Sequence, residues 1–283
     1  MLVAGRQRRV SRDEAFLVGL PLTGLLRRLL VTGARIAVAS ETGLVRPRNE
    51  DSAYVGRWLC AVADGMGGHA AGDVASATVL DAITPFDAFA DAGQLTAVLG
   101  SAVLPANSGL TARSKGVPEL ASMGSTLTAL LWSGTHVGLA HIGDSRAYRL
   151  RAGALRQITE DHHLGNLVAA PMPVRISEYL VRYLDARPGW SPDLTVSTVQ
   201  PGDRYLICSD GLSGFTSAGA IRDVLADRAE VTQAAEDLVA LAYAAGAPDN
   251  VTVVVADVPD GAWTERNGSP VVAGAAAELA GGR

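Results

Sequence analysis

Six carboxylates in this 283-residue chain stand where an apolar run meets a loop. Asp64 closes the run 58–63 and is followed by Gly65, Met66, Gly67 and Gly68. Asp144 follows the run 136–142 and Gly143. Asp210 closes the run 205–208 and precedes Gly211, while Asp249 sits between Pro248 and Asn250 ahead of the run 251–258. Glu50 and Asp51 precede the run 52–55. An aspartate beside glycine at a single strand end is ordinary turn chemistry. Carboxylates at five separate strand–loop junctions, three of them beside glycine, ask for another account. If the strand ends converge, the carboxylates concentrate negative charge and are driven to protonate unless it is neutralised. Hard divalent cations with oxygen ligands are the natural counter-charge, so the expected ions are Mg2+ or Mn2+. Two cysteines cannot form a thiolate zinc site alone, and no Cys/His spacing suggests one. Gly65, lacking a Cβ, lets the backbone approach a metal or phosphate and offer its carbonyl. The helix expected after Gly68 would favour an anion at its N-terminus.

The elements that must position these acids are legible as apolar periodicity. Strands are expected at 35–40, 52–55, 58–63, 125–132, 136–142, 147–151, 194–199, 205–208 and 251–258, and helices at 70–83, 90–113, 218–227 and 232–245. The runs 125–132 and 136–142 are joined by Ser133, Gly134 and Thr135, a hairpin signal. Strands that come in neighbouring pairs, with long helices between groups, fit an α+β domain with antiparallel sheets covered by helices rather than a doubly wound parallel sheet.

Composition bounds the rest. The chain is 48% hydrophobic and carries a net charge of −5, so a large core is expected and a nucleic-acid binder acting through charge is not. Cys60 and Cys208 lie in apolar runs and read as core thiols of a reducing, cytoplasmic compartment. No run of 18 apolar residues lacks a charge, so no membrane-spanning segment is expected. Residues 1–34 hold six arginines against Asp13 and Glu14 and read as a peripheral, poorly ordered basic extension. A secretory signal is disfavoured because Pro21 and Gly24 interrupt the apolar stretch 15–26. The catalytic domain is expected at 35–259, and 260–283 as a Gly/Ala-rich tail.

Six motifs then carry a resemblance: Arg46-Pro47-Arg48-Asn49-Glu50-Asp51, Asp64-Gly65-Met66-Gly67-Gly68-His69, Gly124-Ser125-Thr126, Gly143-Asp144-Ser145-Arg146, Ser209-Asp210-Gly211-Leu212 and Asp249-Asn250-Val251-Thr252. In this order they resemble the metal-dependent type 2C Ser/Thr protein phosphatases, most closely the bacterial branch. The resemblance implies a four-layer α-β-β-α sandwich with a binuclear Mn/Mg centre at one end. Carried over by position, Asp64 would bridge both metals, Asp210 and Asp249 would complete the first, and Glu50 and the Gly65 carbonyl would serve the second. Asp51 would hold metal-bound water, and Asp144 with Asp210 would hold a third, weaker ion. Arg46 would grip the substrate phosphate. The implied reaction is hydrolysis of phosphoserine and phosphothreonine monoesters by in-line attack of a metal-bridging hydroxide. Phosphorylated proteins, Ser/Thr protein kinases among them, are the implied substrates of a monomeric enzyme.

Departures from the family matter too. Met66 stands where eukaryotic members have a histidine proposed to protonate the leaving alkoxide, so no leaving-group acid is assigned. His69 reads as a residue that caps or packs at the helix start, and His162 and His163, after Glu160 and Asp161, read as solvated residues at a helix start, with a place near the site as the alternative. The stretch 164–190 corresponds to the family's variable flap; Tyr179 and Trp190 are candidates there for peptide contact, with ordinary packing an equal reading. Rival functions are a phosphoprotein-binding module with little catalysis, a phosphatase of one narrow regulator, and a phosphatase of small metabolites.

Overall fold

The computed structural model describes residues 29–31, 35–67, 71–167, 179–187, 189 and 191–281. Strands β1 (Leu29–Val31), β2 (Ile36–Glu41), β3 (Asp51–Val55) and β4 (Leu59–Met66) precede helices α1 (Gly72–Ile83) and α2 (Leu95–Ser114). Five strands follow: β5 (Gly124–Ser125), β6 (Leu127–Ser133), β7 (His136–Ile142), β8 (Arg146–Arg151) and β9 (Ala154–Gln157). Then come β10 (Asp193–Thr198), β11 (Arg204–Cys208), α3 (Ala218–Asp227), α4 (Val231–Ala244), β12 (Val251–Asp257), β13 (Val271–Gly274) and α5 (Ala275–Gly281). Single helical turns lie at Leu164–Leu167 and Asp210–Ser213.

Two antiparallel sheets result, one ordered β1-β2-β12-β11-β8-β9 and the other β10-β7-β6-β4-β3-β13, with β5 paired to β4. Successive side chains of a strand point to opposite faces, and here both faces are covered. Ile36 and Val38 of β2, Cys60 and Val62 of β4, Tyr205 and Ile207 of β11 and Val254 and Ala256 of β12 meet between the sheets. Ala37 and Ala39 of β2 and Val253 and Val255 of β12 turn outward onto α3 and α4. Ala61 and Ala63 of β4 turn outward onto α1 and α2. The layers are therefore α-β-β-α, as the resemblance implies. Burial on both faces explains why the strands read as unbroken apolar runs rather than as polar–apolar alternation.

The β6–β7 hairpin has Gly134 at φ +55° in its two-residue loop, a conformation that disfavours a side chain. Helix α2 and the turn before it, Ala92–Ser114, are long and apolar enough to cross a membrane by length and composition. Here its Leu95, Leu99, Ala102, Val103, Ala106 and Leu110, spaced on one helical face, are buried against the second sheet.

The stretch expected as a tail holds structure. β13 adds an edge strand to β3, with Val272 opposite Tyr54, and α5 follows it. Trp263 stacks on Trp132 with ring centroids 4.0 Å apart. A four-residue strand of small residues has too little pattern to be read from sequence, and pairing along β3 stabilises it. Leu29–Val31, inside the expected basic extension, pairs with β2. Both cysteines are free and buried. Burial pushes each thiol up to about 12, which fits inert core residues.

Candidate metal centre

The acids meet at one end of the sandwich, where strands of both sheets stop. Asp51 opens β3 and stands opposite Asp64 of β4 in the strand register. The two carboxylates are therefore fixed as cross-strand neighbours by backbone pairing alone. Asp210 follows β11 and Asp249 precedes β12, strands that are themselves hydrogen-bonded neighbours. Asp144 occupies the β7–β8 turn. A cleft of about 200 Å³ is lined by Arg46, Glu50, Asp64, Gly65, Asp144, Asp210 and Asp249, with Met66, Gly67, Leu180 and Asn250. Every expected ligand reaches this cleft. Asp51, 1% exposed, lies behind it.

Hydrogen bonds make the arrangement rigid. Asp51 Oδ2 accepts from Ser209 Oγ at 2.6 Å, and Ser209 Oγ accepts from Thr252 N at 3.0 Å, which ties β3 to the other sheet. Asp64 is pinned through its backbone: its N–H donates to Thr126 Oγ1 and its carbonyl accepts from Thr126 N, both at 2.9 Å. Asn250 staples the loop before β3 to the start of β12. Its Oδ1 accepts from Glu50 N at 2.9 Å, and its Nδ2 donates to the carbonyls of Thr42 and Arg48 at 2.7 and 2.9 Å. The Gly124-Ser125-Thr126 and Asp249-Asn250 motifs thus act as supports around the acids.

The electrostatics are those of a site built for cations. Burial, then the neighbouring carboxylate Asp249, push Asp51 up to about 7. Burial, then Asp144, Asp249 and Asp51, push Asp210 up to about 7. Asp64 is held well above the usual carboxylate range by burial and by Asp51, Asp210, Asp144 and Asp249 around it. Among the described residues neither Asp64 nor Asp210 has a salt-bridge partner. Two carboxylates lie against basic side chains: Asp249 Oδ2 accepts from Arg46 Nη2 at 2.7 Å, and Asp144 Oδ2 lies 3.1 Å from His163 Nε2. Among the described residues no three acidic, histidine or cysteine side chains are closed into a finished cage. The all-oxygen donor set suits Mg2+ or Mn2+.

Gly72 has a role that the sequence did not reveal. A Cβ there would stand 2.8 Å from the Gly65 carbonyl oxygen and 2.9 Å from Glu50 Oε1. Two candidate ligands therefore converge on the space that Gly72 leaves open. Gly72→Ala should weaken the second Mn2+ binding event by about tenfold, equivalent to about 1.4 kcal/mol. Calorimetric Mn2+ titration checks this; an unchanged isotherm contradicts the assignment of Glu50 and Gly65.

Of the two readings of His162 and His163, the solvated one does not hold for His162, and the one near the site holds for His163. His162 is buried, accepting from Gly143 N through Nδ1 at 2.9 Å, with Nε2 3.0 Å from Asp193 Oδ2. His163 contacts Asp144. These bonds span 19 and 31 residues, which sequence adjacency to Glu160 and Asp161 does not disclose. Met66 lines the cleft, and no histidine does so among the described residues. Tyr179 is exposed. His69 and Trp190 lie outside the described residues.

A four-layer sandwich whose two sheets end around a carboxylate-ringed cleft defines the class. The chain belongs to the protein phosphatase 2C family, whose model matches residues 48–249. It is 44% identical over 248 residues to the serine/threonine protein phosphatase PstP of Mycobacterium tuberculosis, a match covering 85% of this chain and 48% of PstP. The chain thus spans about half the length of that relative. A crystal structure of the PstP catalytic domain with two manganese ions is 46% identical, with a TM-score of 0.74, covering 80% of this chain and 98% of that one. The serine/threonine phosphatase stp of Listeria welshimeri is 30% identical over 235 residues, covering 77% of this chain and 93% of its own length.

Proposed function

We propose that this chain is a divalent-cation-dependent Ser/Thr protein phosphatase. The observation that carries this reading is the convergence of Asp64 with Asp51, Asp144, Asp210 and Asp249 and the lack, among the described residues, of a basic partner for Asp64. The manganese ions held by the related PstP catalytic domain support the same reading. Asp64 would be shared by two ions, Asp210 and Asp249 would complete one, and Glu50 with the Gly65 carbonyl would complete the other. Asp144 with Asp210 would hold a third, weaker one. When bound, such ions lower the pKa of water toward neutrality and neutralise phosphoryl oxygens.

The chain's own groups do the positioning. Asp51, locked by Ser209 behind the cleft, would orient water held by such ions. Arg46 stands at the mouth with its side chain half exposed. Its planar fork matches two phosphate oxygens and offsets charge on the transferring group. Asp249, which accepts from Arg46 here, releases that fork whenever its carboxylate is engaged elsewhere. Neither cysteine is placed for covalent catalysis: Cys60 and Cys208 are buried in the core.

Substrates in this reading are phosphoproteins, Ser/Thr protein kinases among them. The enzyme acts as a monomer in the cytoplasm, where free thiols persist. The catalytic unit is 35–259, with 1–34 as an appendage and β13–α5 packed upon it.

A substrate panel tests the reading. With Mn2+, the purified chain should hydrolyse a phosphothreonine peptide at least about tenfold faster, by kcat/KM, than sugar phosphates. Chelation should abolish both activities. Turnover unaffected by chelation sinks the cation-dependent reading, and preference for sugar phosphates sinks the protein-substrate reading.

A further inference from the structure

Away from the carboxylate cleft, the sandwich opens along one flank. Between the β8–β9 hairpin of one sheet and β7–β10 of the other lies a cavity of about 470 Å³. Leu130, Val137, Leu139 and Ile158 form apolar wall, and Arg149 and Arg156 stand among them. That volume is in the range that holds a small organic molecule.

The arginines are the unusual feature. Arg149 and Arg156 are register partners across β8 and β9, so they share one sheet face directly opposite each other. Like charges in that relation destabilise a strand pair. Among the described residues neither forms a salt bridge. Among those residues Arg149 Nε is buried without a hydrogen-bond partner of standard geometry, and the one polar group that faces this arginine from the core is the similarly placed, neutral Tyr205 hydroxyl, which leaves the guanidinium charge unpaired. The acids on the lining do not relieve them: Asp193 is engaged by His162 and Arg182, and Glu160 is exposed and pairs with neither arginine. Buried polar atoms in folded proteins nearly always have partners. Part-buried Arg149 and exposed Arg156 both line this opening, and two guanidinium forks on one cavity suit a bidentate anionic head.

We infer that this cavity is a second binding site, separate from the phosphatase cleft, for a small organic anion with a compact apolar body. A carboxylate head sits between Arg149 and Arg156, and an aryl or branched-alkyl body lies on Leu130, Val137, Leu139 and Ile158. The wall also includes His141 and Asp193. Asp193 bonds His162, and His162 accepts from the backbone of Gly143, the residue before Asp144. An occupant therefore borders the hydrogen bonds that hold one of the cleft's turns.

Calorimetric titration of the full chain with 2-naphthoate, in buffer with and without Mn2+, tests the inference. Sulfate supplies a head without a body, and naphthalene-2-carboxamide a body without a charge. One naphthoate per chain should bind saturably in both buffers, at least about tenfold more tightly than either control. The double variant Arg149→Gln/Arg156→Gln should lose at least about tenfold in naphthoate affinity. Its unliganded melting temperature should equal or exceed that of the wild type, because the facing charges are gone. Absence of saturable binding, equal binding by the double variant, or loss of binding in Arg46→Gln instead would each overturn the site. Equal binding of sulfate would overturn the apolar part of it.

Discussion

Asp64→Asn should lower Mn2+-dependent turnover by on the order of 10³-fold or more while leaving the fold intact. Asp64 is paired through the backbone with Asp51 and held by Thr126, so the amide would keep the side chain in place. What it removes is the negative charge at the centre of the cluster, where Asp51, Asp144, Asp210 and Asp249 all face it. An amide oxygen is a far poorer partner for two hard cations than a carboxylate. The same change relieves repulsion when no cation is bound, so metal-free Asp64→Asn should melt above the wild type at pH 8. Steady-state kinetics with a phosphothreonine peptide, beside thermal melts in chelator, read both effects. Turnover within tenfold of the wild type would remove Asp64 from the centre of the mechanism.

Mn2+ should stabilise the wild-type chain much more at pH 8 than at pH 5. Asp51 and Asp210 are each pushed up to about 7, and Asp64 is raised as well. A carboxyl whose folded pKa exceeds its unfolded value contributes stability that is complete below the unfolded pKa. That contribution is lost as pH rises through the folded pKa. In the metal-free chain Asp51 and Asp210 therefore cost stability progressively between about pH 4 and about pH 7, and the cost persists above that window, with Asp64 acting in the same direction. At pH 8 Asp51 and Asp210 are ionised and receptive to cations; at pH 5 protons occupy them and compete. The buried histidines His141 and His162, both lowered by burial, act in the opposite sense. Burial lowers His141 to about 4, so its contribution is lost as pH falls from about 6.5. That loss is common to samples with and without Mn2+ and cancels from the comparison. At a hundredfold excess over Kd one bound ion adds about 2.7 kcal/mol, roughly 5–10 °C in melting temperature for a chain of this size. The shift should be of that order at pH 8 and under about 2 °C at pH 5. Equal shifts at both values would mean that the raised carboxyls do not bind the ions.

Much of this was legible in the residues. Strands buried on both faces leave continuous apolar runs, and β2, β4, β6, β7, β11 and β12 fall close to where those runs lie. The acids were legible because each sits at the end of such a run beside glycine or in a short ordered motif. Short pieces that depend on a neighbour were not legible. β9 has an exposed, weakly apolar sequence and exists as the return strand of β8, and β13 is fixed by β3. The supports of the site were the least visible. Asn250 reaches residues some 200 positions away, and Ser209 reaches Asp51 across 158. Gly72 matters for the side chain it lacks, which acquires meaning only once Glu50 and Gly65 are seen beside it. His162 and His163 sit next to acids in sequence, yet their hydrogen-bond partners are Gly143, Asp193 and Asp144.

The most direct test of the central claim is an anomalous difference map, recorded at the manganese edge, from crystals of this chain grown with Mn2+. Two strong peaks should lie in the cleft on either side of the Asp64 carboxylate, one toward Asp210 and Asp249 and the other toward Glu50 and the Gly65 carbonyl. A map with no peak at Asp64, or with a single peak that leaves Glu50 or Asp249 uninvolved, would contradict it.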